Sequence, residues 1–459
     1  MKPRLTLAAL SCTVLLATAA SAQIGRRFPA ERKVVKDPVT GTPLTFLTST
    51  QAGDAKIYQT HNQWTSDLQW LVFRSGRAKN EALAVNEKTG EIVQVSEGGY
   101  TGMLNVARRA MKLYFMRPLP ADTAQLRTAG DRRPPAALQI VEVNLARVFA
   151  DSKAGKMQPA SAYQRVCGTT PPALQAGGDM ALDGDENWAY FRVGRDEAAR
   201  HLAPGTKLEA SFGPRNMGAG PAGIAAMNVH TGAIRHVVSV PFQIGHIQTN
   251  PWVPGEVVFC WETGGKSPQR TWMVQADGSG LRPLYPEAAT EWVTHEAVIT
   301  KDETAFAIMG HRKIPSSTQE VAAGTPVSGA NPGQEAAWGP SGTREKPTGL
   351  AIVNHRTREM TIVGQTASGS GLWHVSGSPD GRWAVGDDFA RNIYLIDRRT
   401  REMVLLSAGH KTTAADHPHP TMSPDGTRIE IQSAMLSADG RSLNICIIPV
   451  PEAWLKRKY

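Results

Sequence analysis

The sequence contains little cysteine, with four cysteines among 459 residues. Cys12 lies in the apolar amino-terminal stretch, and the other three, Cys167, Cys260 and Cys446, are far apart along the chain. Three distant cysteines are too few for a disulfide framework and lack the spacing of a zinc site. Cys260 stands in the apolar stretch V-V-F-C-W, so we expect it to be buried in a strand.

Long hydrophobic runs are also missing after the first 22 residues, where no run approaches the ~18 apolar residues that a membrane span requires. The first 22 residues differ, because they begin with Lys2 and Arg4, continue with an apolar centre and end in A-S-A before Gln23. This order of features is typical of a cleavable signal peptide. We therefore expect residues 1–22 to be removed, no membrane span, and a periplasmic or secreted location.

Basic runs and familiar catalytic motifs are absent as well. The formal net charge is +9, but no basic run alternates with aromatic residues, which argues against nucleic acid as a partner and permits an acidic ligand without requiring one. The sequence has no G-x-S-x-G elbow, no phosphate-binding P-loop, no dinucleotide fingerprint and no H-E-x-x-H zinc motif. The enzyme classes defined by those motifs are therefore excluded.

The sequence does contain an internal repeat, in which a polar turn precedes a short apolar strand. Two examples are T-S-D-L-Q-W-L-V-F and S-P-D-G-R-W-A-V, and most copies are followed by a second unit of strand, polar turn and strand. Short strands separated by D-G and T-G turns are typical of antiparallel hairpins. The seven copies begin at Thr65, Arg108, Leu182, Asn250, Thr300, Ser378 and Ser423.

Seven repeats of four strands predict an all-β fold, a seven-bladed β-propeller with four antiparallel strands per blade. Because one small sheet cannot bury both of its faces, the blades must stack around a common axis. The last repeat offers only three strands, so we expect the amino-terminal strand Pro43–Thr48 to complete the last blade and close the ring. Residues 23–459 then form one domain, with loop insertions near 122–137, 150–178 and 314–347. The alternative is an open pair of β-sandwiches.

Histidines recur at a similar distance before the repeated turn. His61, His374 and His419 each stand six residues before its aspartate, His295 stands seven before it, and His417 precedes His419 by two residues. Equal positions in equal blades meet at the central channel, so we expect a cluster of imidazoles at one mouth, where a metal ion or a general base would lie. In D-H-P-H-P the two histidines can face the same side of a strand. The alternatives are exposed loop histidines or single imidazoles bonded to backbone carbonyls.

These segments resemble those of the oligogalacturonate lyase family, seven-bladed propellers that cleave digalacturonate by β-elimination. G-H at His246, followed by V-V-F-C and Glu262, resembles the family's G-H…V-x-F-C-H-E-G stretch. H-E at His295 resembles its H-E or H-D segment, and the stretch from His374 resembles its H…D-G…V-G-D segment. D-H-P-H-P resembles its H-P-H-P segment. The similarity extends over most of the chain after residue 22.

The resemblance implies a divalent metal ion of the manganese type, held by His295, His417 and His419. In the family, a glutamine three residues before the first H-P-H-P histidine completes the ligand set. Here that position is Ala414, so water or a neighbouring group would have to fill the place.

The same resemblance implies that His246 is the catalytic base. Family members also carry an arginine in an upstream strand, and because the matching strand Gly223–Val229 has none, we expect Arg215 in the preceding glycine-rich loop to substitute for it. The chemistry of elimination suits these groups. The C5 proton of a uronate lies beside a carboxylate, a cation on that carboxylate stabilises the enediolate that forms, and a neutral imidazole can accept the proton.

We expect His61, Arg270 and His374 to bind substrate, the two histidines through a second carboxylate. The alternatives are packing at the channel mouth for the histidines and a solvated surface position for Arg270. The predicted function is therefore a metal-dependent polysaccharide lyase for short oligogalacturonides, with an acidic oligosaccharide as its partner. Two other functions stay open: a non-catalytic periplasmic binding propeller like those of the Tol system, and a lyase for another acidic glycan.

Overall fold

The computed structural model describes residues 23–119, 137–211, 217–263, 267–288, 291–308, 348–365 and 372–458. These residues form seven antiparallel sheets. The predicted seven-bladed β-propeller with four antiparallel strands per blade is confirmed, and two blades carry a fifth strand at their edge. The predicted signal peptide, almost all of the insertion near 122–137 and the whole insertion near 314–347 lie outside the described residues.

We number the blades 1 to 7 along the chain and give the strands of each blade from the channel outwards. Blade 1 consists of Asp54–Lys56, Trp70–Ser75, Ala82–Asn86 and Ile92–Gln94, with Arg27–Phe28 as its fifth strand. Blade 2 consists of Thr101–Val106, Lys112–Pro118, Leu138–Asn144 and Gln164–Thr170. Blade 3 consists of Met180–Leu182, Trp188–Val193, Ala219–Asn228 and Ile234–Phe242.

The remaining four blades follow the same order. Blade 4 consists of Ile244–Thr249, Glu256–Trp261, Thr271–Gln275 and Arg282–Pro283. Blade 5 consists of Val293–Thr300, Glu303–Ile308, Gly349–Asn354 and Met360–Gly364, and blade 6 of Val375–Gly377, Trp383–Asp387, Ile393–Asp397 and Met403–Ser407. Blade 7 consists of Thr421–Met422, Arg428–Ser433, Asn444–Pro449, Pro43–Phe46 and Lys33–Lys36.

Both ends of the described chain contribute strands to blade 7. Thr45 pairs with Ile447 and Phe46 pairs with Cys446 in antiparallel register. Phe46 is fully buried in the apolar core of that blade. The amino-terminal strand predicted over Pro43–Thr48 thus occupies the fourth position of the last blade.

The repeated turn has one local cause in blades 1, 6 and 7. The hydroxyls of Thr65, Ser378 and Ser423 each accept a hydrogen bond from the amide five residues later, at 3.2, 2.9 and 3.1 Å. Each hydroxyl also donates to the aspartate two residues later, at 2.6 Å. Such local bonds favour turns over continued strands. They fix the direction in which the second strand leaves the channel.

The apolar core lies between neighbouring blades. Val72 of blade 1 packs in one fully buried cluster with Leu113 and Phe115 of blade 2, and Val385 of blade 6 packs in another with Ile431 of blade 7. Burial of each such side chain contributes about 1.5–3 kcal/mol, so stacking of the blades holds the inner strands in a ring. Within the described part of the chain, no helix is long and apolar enough to span a membrane.

The stretch near 150–178, predicted as a loop insertion, is partly built into blade 2. The helix Leu145–Ala154 begins after Asn144, whose side chain accepts the Arg147 amide, and ends at Gly155 with φ 65°. The segment after this helix returns as the outer strand of blade 2. Its sequence, Q-R-V-C-G-T-T, is too polar to stand out as a strand. The other helical segments are Ala160–Ala162, Pro172–Leu174, Arg195–Arg200 and Glu452–Leu455.

Candidate active site

Three histidines reach the channel where the backbone is irregular. In blades 4 and 5, two residues of the inner strand, beginning with His246 and His295, oppose a single residue of the second strand, which defines a β-bulge. The φ angles of His246, His295 and His419 are 51°, 56° and 50°. This left-handed backbone costs a residue with a side chain about 1 kcal/mol or more. The left-handed backbone at these three residues therefore directs their imidazoles toward one mouth of the channel.

His374 is the centre of a cluster of imidazoles from blades 5, 6 and 7. Its ring centroid lies 4.2 Å from that of His295, 5.2 Å from that of His417 and 3.7 Å from that of His419. Burial lowers the pKa of both His374 and His295 well below 6.5, and neighbouring imidazoles lower it further. Both rings are therefore neutral near pH 7, which is the form that binds metal ions.

Asp387 orients His374. Both carboxylate oxygens lie 3.1 Å from His374 Nδ1, and Oδ1 also accepts the His374 backbone amide at 2.7 Å. Because an ionised carboxylate only accepts, Nδ1 carries the ring proton and Nε2 keeps its lone pair. Buried His417 Nδ1 lies 3.8 Å from Asp387 Oδ2 and has no hydrogen-bond partner among the described residues. His374, Asp387 and His417 each offer a ligand atom within 4.8 Å of the others, a spacing that suits a metal ion.

Two residues of blade 1 contact the rings of His419 and His295. The buried Gln59 Oε1 lies 2.9 Å from His419 Nδ1, and the Tyr58 hydroxyl lies 2.6 Å from His295 Nδ1. An amide oxygen only accepts, so His419 carries a proton on Nδ1, while its Nε2 lies 3.1 Å from Asp416 Oδ2. A histidine fixed through one ring nitrogen presents the other, which is the usual outer contact of a metal-bound histidine. The donor set of the cluster therefore fits a metal ion.

The segment before His417 is held in place by its backbone. The Arg391 guanidinium donates to three carbonyls between residues 412 and 416. Ala414, which stands where the resembled family has a glutamine, is buried in a small apolar cluster with Ala434 and Leu443. This position therefore offers no ligand to the imidazoles.

His246 stands beside a buried ion pair. Its Nδ1 lies 3.3 Å from Glu296 Oε1 and 3.4 Å from Arg270 Nη2, and its Nε2 lies 3.7 Å from Glu262 Oε2. Arg270 Nε donates to Glu296 Oε2 at 3.1 Å. Arg270 can only donate to Nδ1 and Glu296 can only accept from it; because Glu296 is the group that raises the pKa of His246, we assign the proton of neutral His246 to Nδ1. The basic atom is then Nε2.

The charges around His246 make it a stronger base. Burial alone would lower the pKa of His246, but the hydrogen bond and charge of Glu296 outweigh burial and raise this pKa above 6.5. Burial alone would raise the pKa of Glu296, but Arg270 and His246 hold it well below 4.5. Glu296 is therefore ionised near pH 7, and His246 is suited to accept a proton in that range.

Arg270, predicted to bind substrate, lies behind His246. Its side chain is 3% exposed, and its guanidinium faces Glu296 together with Glu262, whose Oε2 lies 3.6 Å from Nη2. The positive charge is therefore shared between two carboxylates of the protein. A direct contact between Arg270 and substrate stays a prediction.

The structure turns His61, also predicted to bind substrate, away from the imidazole cluster. Its Nε2 donates to the Met180 carbonyl of blade 3 at 2.9 Å, and its Nδ1 lies 2.7 Å from the Thr60 hydroxyl. Both ring nitrogens thus have protein partners. The similar spacing before the turn brings His295, His374, His417 and His419 together, and the substrate contact of His61 stays a prediction. Arg215, predicted to assist catalysis, lies outside the described residues.

An aromatic wall flanks the cluster on the side of blades 5 and 6. The Trp373 ring centroid lies 4.4 Å from that of His295, 4.9 Å from that of Phe389 and 5.9 Å from that of Trp292. Trp373 and Phe389 are half-buried. Apolar surface beside convergent polar groups suits a ligand with one apolar face and several polar substituents.

Two residues of this site escaped the sequence patterns, Tyr58 and Gln59. They stand in extra residues between the inner strand of blade 1, which ends at Lys56, and the turn that begins at Thr65. In blades 6 and 7 the inner strand runs directly into the turn. The longer gap in blade 1 was the available signal that this blade sends side chains into the channel.

No protein-family model matches this sequence, and no curated protein matches it. Among solved structures, the fold is similar to that of an oligogalacturonate lyase in complex with manganese, with 16% identity, a TM-score of 0.66, and coverage of 95% of this chain and 100% of that chain. It is also similar to an oligogalacturonate lyase from Vibrio parahaemolyticus, with 17% identity, a TM-score of 0.66, and coverage of 94% and 100%. The resemblance inferred from the motifs is thus confirmed in the fold, which this chain shares with oligogalacturonate lyases.

Proposed function

We propose that this chain is a metal-dependent lyase that cleaves short oligogalacturonides, such as digalacturonate, by β-elimination. The observation that carries the proposal is the presence of two arrangements at one mouth of the channel. One is the cluster of imidazoles around His374, and the other is His246 with Glu296 behind it. The ring centroids of His246 and His295 are 6.3 Å apart. A cation site beside a base is what β-elimination from a uronate requires.

The predicted ligands His295, His417 and His419 would hold the ion together with His374. The fit is supported by the rings of His295 and His374, which are neutral near pH 7 and contacted at Nδ1, and by the Nδ1 of His417, which is buried without a hydrogen-bond partner among the described residues. When bound, a divalent cation would stabilise the negative charge that develops on the substrate carboxylate. An imidazole-rich set also suits zinc or nickel, and the manganese in the structurally similar lyase supports Mn²⁺.

His246 Nε2 would accept the C5 proton of the substrate. Glu296 at Nδ1 would stabilise the imidazolium that forms, and Glu262 lies 3.7 Å from Nε2. Arg270 keeps Glu296 ionised and fixed, so we assign it a positioning role. The base is thus held ready in its orientation, and the proton transfer needs no rearrangement of the protein.

A lyase for a different acidic glycan is the second candidate function. The apolar surroundings of Ala414 support it, because a ligand set that departs from that of the resembled family can accompany a different substrate. Both candidates share the same elimination chemistry. They differ only in which uronate the mouth of the channel accepts.

The test is incubation of the purified chain with digalacturonate and other uronate dimers, with and without Mn²⁺. A lyase product carries a C4=C5 double bond conjugated to the carboxylate, so ultraviolet absorbance rises with turnover. We expect a metal-dependent rise for the chain itself and none for His246→Ala. His230→Ala is the matched control, because His230 is exposed and contacts Asn187 on the outside of blade 3.

Two outcomes would contradict the proposal. No rise with any uronate, although calorimetry detects metal binding, would exclude the lyase reaction. No rise and no metal binding would favour the non-catalytic binding propeller.

We also propose that the protein acts in the periplasm or outside the cell. The support is the signal-peptide pattern of residues 1–22. Amino-terminal sequencing of the protein recovered from the periplasm or medium should give Gln23 as the first residue. A protein that stays in the cytosol and begins at Met1 would contradict this location.

A further inference from the structure

Tyr58 projects into the mouth of the channel because the inner edge of blade 1 is interrupted. The strand Asp54–Lys56 ends two residues before it, and regular pairing resumes only where Trp64 bridges Leu71. Between these points the Tyr58 carbonyl accepts the His61 amide at 3.0 Å, which closes a turn. The turn carries the phenol ring out of the blade.

The Tyr58 ring lies among the histidines of both arrangements in the site. Its centroid is 5.2 Å from that of His246, 5.1 Å from that of His419 and 6.3 Å from that of His374. Its hydroxyl is 2.6 Å from His295 Nδ1. Tyr58 is therefore the side chain that joins the base to the imidazole cluster.

β-Elimination needs two proton transfers, and His246 can provide only one. The base removes the C5 proton, but the glycosidic oxygen on C4 departs as an alkoxide unless an acid protonates it. A phenol is protonated near pH 7 and can donate in this way. Such an acid must lie close to the base, because C4 and C5 of the sugar are adjacent.

We propose that Tyr58 is the general acid that protonates the leaving glycosidic oxygen. This proposal rests on the lyase function proposed above. The C5–H bond breaks and its proton goes to His246 Nε2, the C4=C5 double bond forms, and the C4–O bond breaks as that oxygen takes the Tyr58 proton. The products are a 4,5-unsaturated uronate and a saccharide with a free hydroxyl. Return of the proton from His246 to Tyr58 through solvent restores the enzyme.

His295 has a defined part in this step. When His295 Nδ1–H donates to the Tyr58 oxygen, the phenol proton is free to face the substrate. After the transfer, the same N–H stabilises the phenolate. The hydroxyl, and not the aromatic ring, is therefore the functional part of Tyr58.

The experiment compares two substrates with the chain and with Tyr58→Phe, which keeps the ring and removes the hydroxyl. Digalacturonate has a poor leaving group that needs an acid, whereas a uronate with a nitrophenyl ether at C4 has a leaving group that departs without one. We expect kcat on digalacturonate to fall on the order of 10²–10⁴-fold, the range of general acid catalysis, and kcat on the nitrophenyl ether to fall less than about 10-fold. Tyr163→Phe is the matched control, because the Tyr163 hydroxyl binds Asp151 outside the site.

The other outcomes overturn the proposal. Equal losses on both substrates, with an unchanged circular dichroism spectrum and melting temperature, would show that Tyr58 only holds His295 in place. Full activity of Tyr58→Phe on digalacturonate would exclude the phenol from the reaction. If the unmodified chain eliminates neither leaving group, the lyase function fails and this role of Tyr58 fails with it.

Discussion

Asp387 contacts His374 twice, through the backbone amide at 2.7 Å and through the ring Nδ1 at 3.1 Å. The two contacts fix both the start of the inner strand in blade 6 and the orientation of the imidazole at the centre of the site. Burial raises the pKa of Asp387, and the charges of His417 and His419 oppose that rise. A metal ion at the neighbouring imidazoles would lower it further and strengthen the carboxylate contact.

Asp387→Asn is expected to weaken metal binding. An amide can turn its NH₂ toward His374 Nδ1, which would leave the proton on Nε2, where the metal needs a lone pair. We expect a loss of about 10–100-fold in Mn²⁺ affinity, measured by calorimetry. Asp388→Asn is the matched control, since Asp388 binds Asn392 instead. Equal affinities for Asp387→Asn and the unmodified chain would remove His374 from the metal site.

The rate of elimination should rise with pH through a pKa above 6.5. His246 accepts a proton only when it is neutral, and its pKa is raised, so the active form predominates above that pKa. Because Glu296 causes the rise, Glu296→Gln should move the inflection of kcat/KM to lower pH. A pH–rate profile of both proteins tests this. An inflection that stays in place in Glu296→Gln would contradict the assignment of the base.

The three histidines with left-handed backbone should favour glycine over alanine. At His246, His295 and His419, we expect each Gly variant to be more stable than the Ala variant by about 1 kcal/mol, because only glycine adopts positive φ without strain. Chemical denaturation in a metal chelator measures the difference. At His374, which does not have positive φ, the order should reverse. The same order at all four positions would mean that the left-handed backbone is not the cause of the difference.

The buried carboxylate of Glu256 in blade 4 should make the free energy of unfolding depend on pH. Burial alone would raise the pKa of Glu256, but His355, Arg356 and Asn250 lower it from 4.5 to about 2. A lowered pKa stabilises the fold above about pH 4.5, and this contribution is lost as the pH falls toward 2. Glu256→Gln should cost up to ~3 kcal/mol at neutral pH and should flatten the fall in stability across this window. Melting curves of both proteins from pH 2 to pH 7 measure this difference. An equally steep fall in stability for both proteins would contradict the prediction.

The repeats and the spacing of the histidines were sufficient to predict the fold and most of the imidazole cluster. The turn that begins at Thr65, Ser378 and Ser423 depends on bonds within five residues, so its sequence is directly readable. The spacing did not reveal the protein partners of His61, because the inner edge of blade 1 makes an extra turn before it. The prediction rested only on the number of residues between each histidine and the aspartate of the repeated turn. It therefore could not detect an additional turn in the chain before His61.

The outer contacts of the site could not be predicted, because they join distant parts of the chain. Gln59 and His419 are 360 positions apart, and Tyr58 and His295 are 237 apart. Neither pair belongs to equivalent positions in the repeat. The ion pair of Arg270 with Glu296 depends in the same way on how blades 4 and 5 meet.

The irregular stretch in the inner strand of blade 2 begins with Gly102, with φ 72°, and a Cβ at that position would collide with the Gly178 carbonyl oxygen. Glycine accepts that backbone without strain and leaves room for the Gly178 backbone. His246 and His295 have positive φ as well but carry a side chain, so each keeps a strained backbone that glycine would relieve. The bulges of blades 4 and 5 thus hold side chains in a conformation that the stability of the fold alone does not favour.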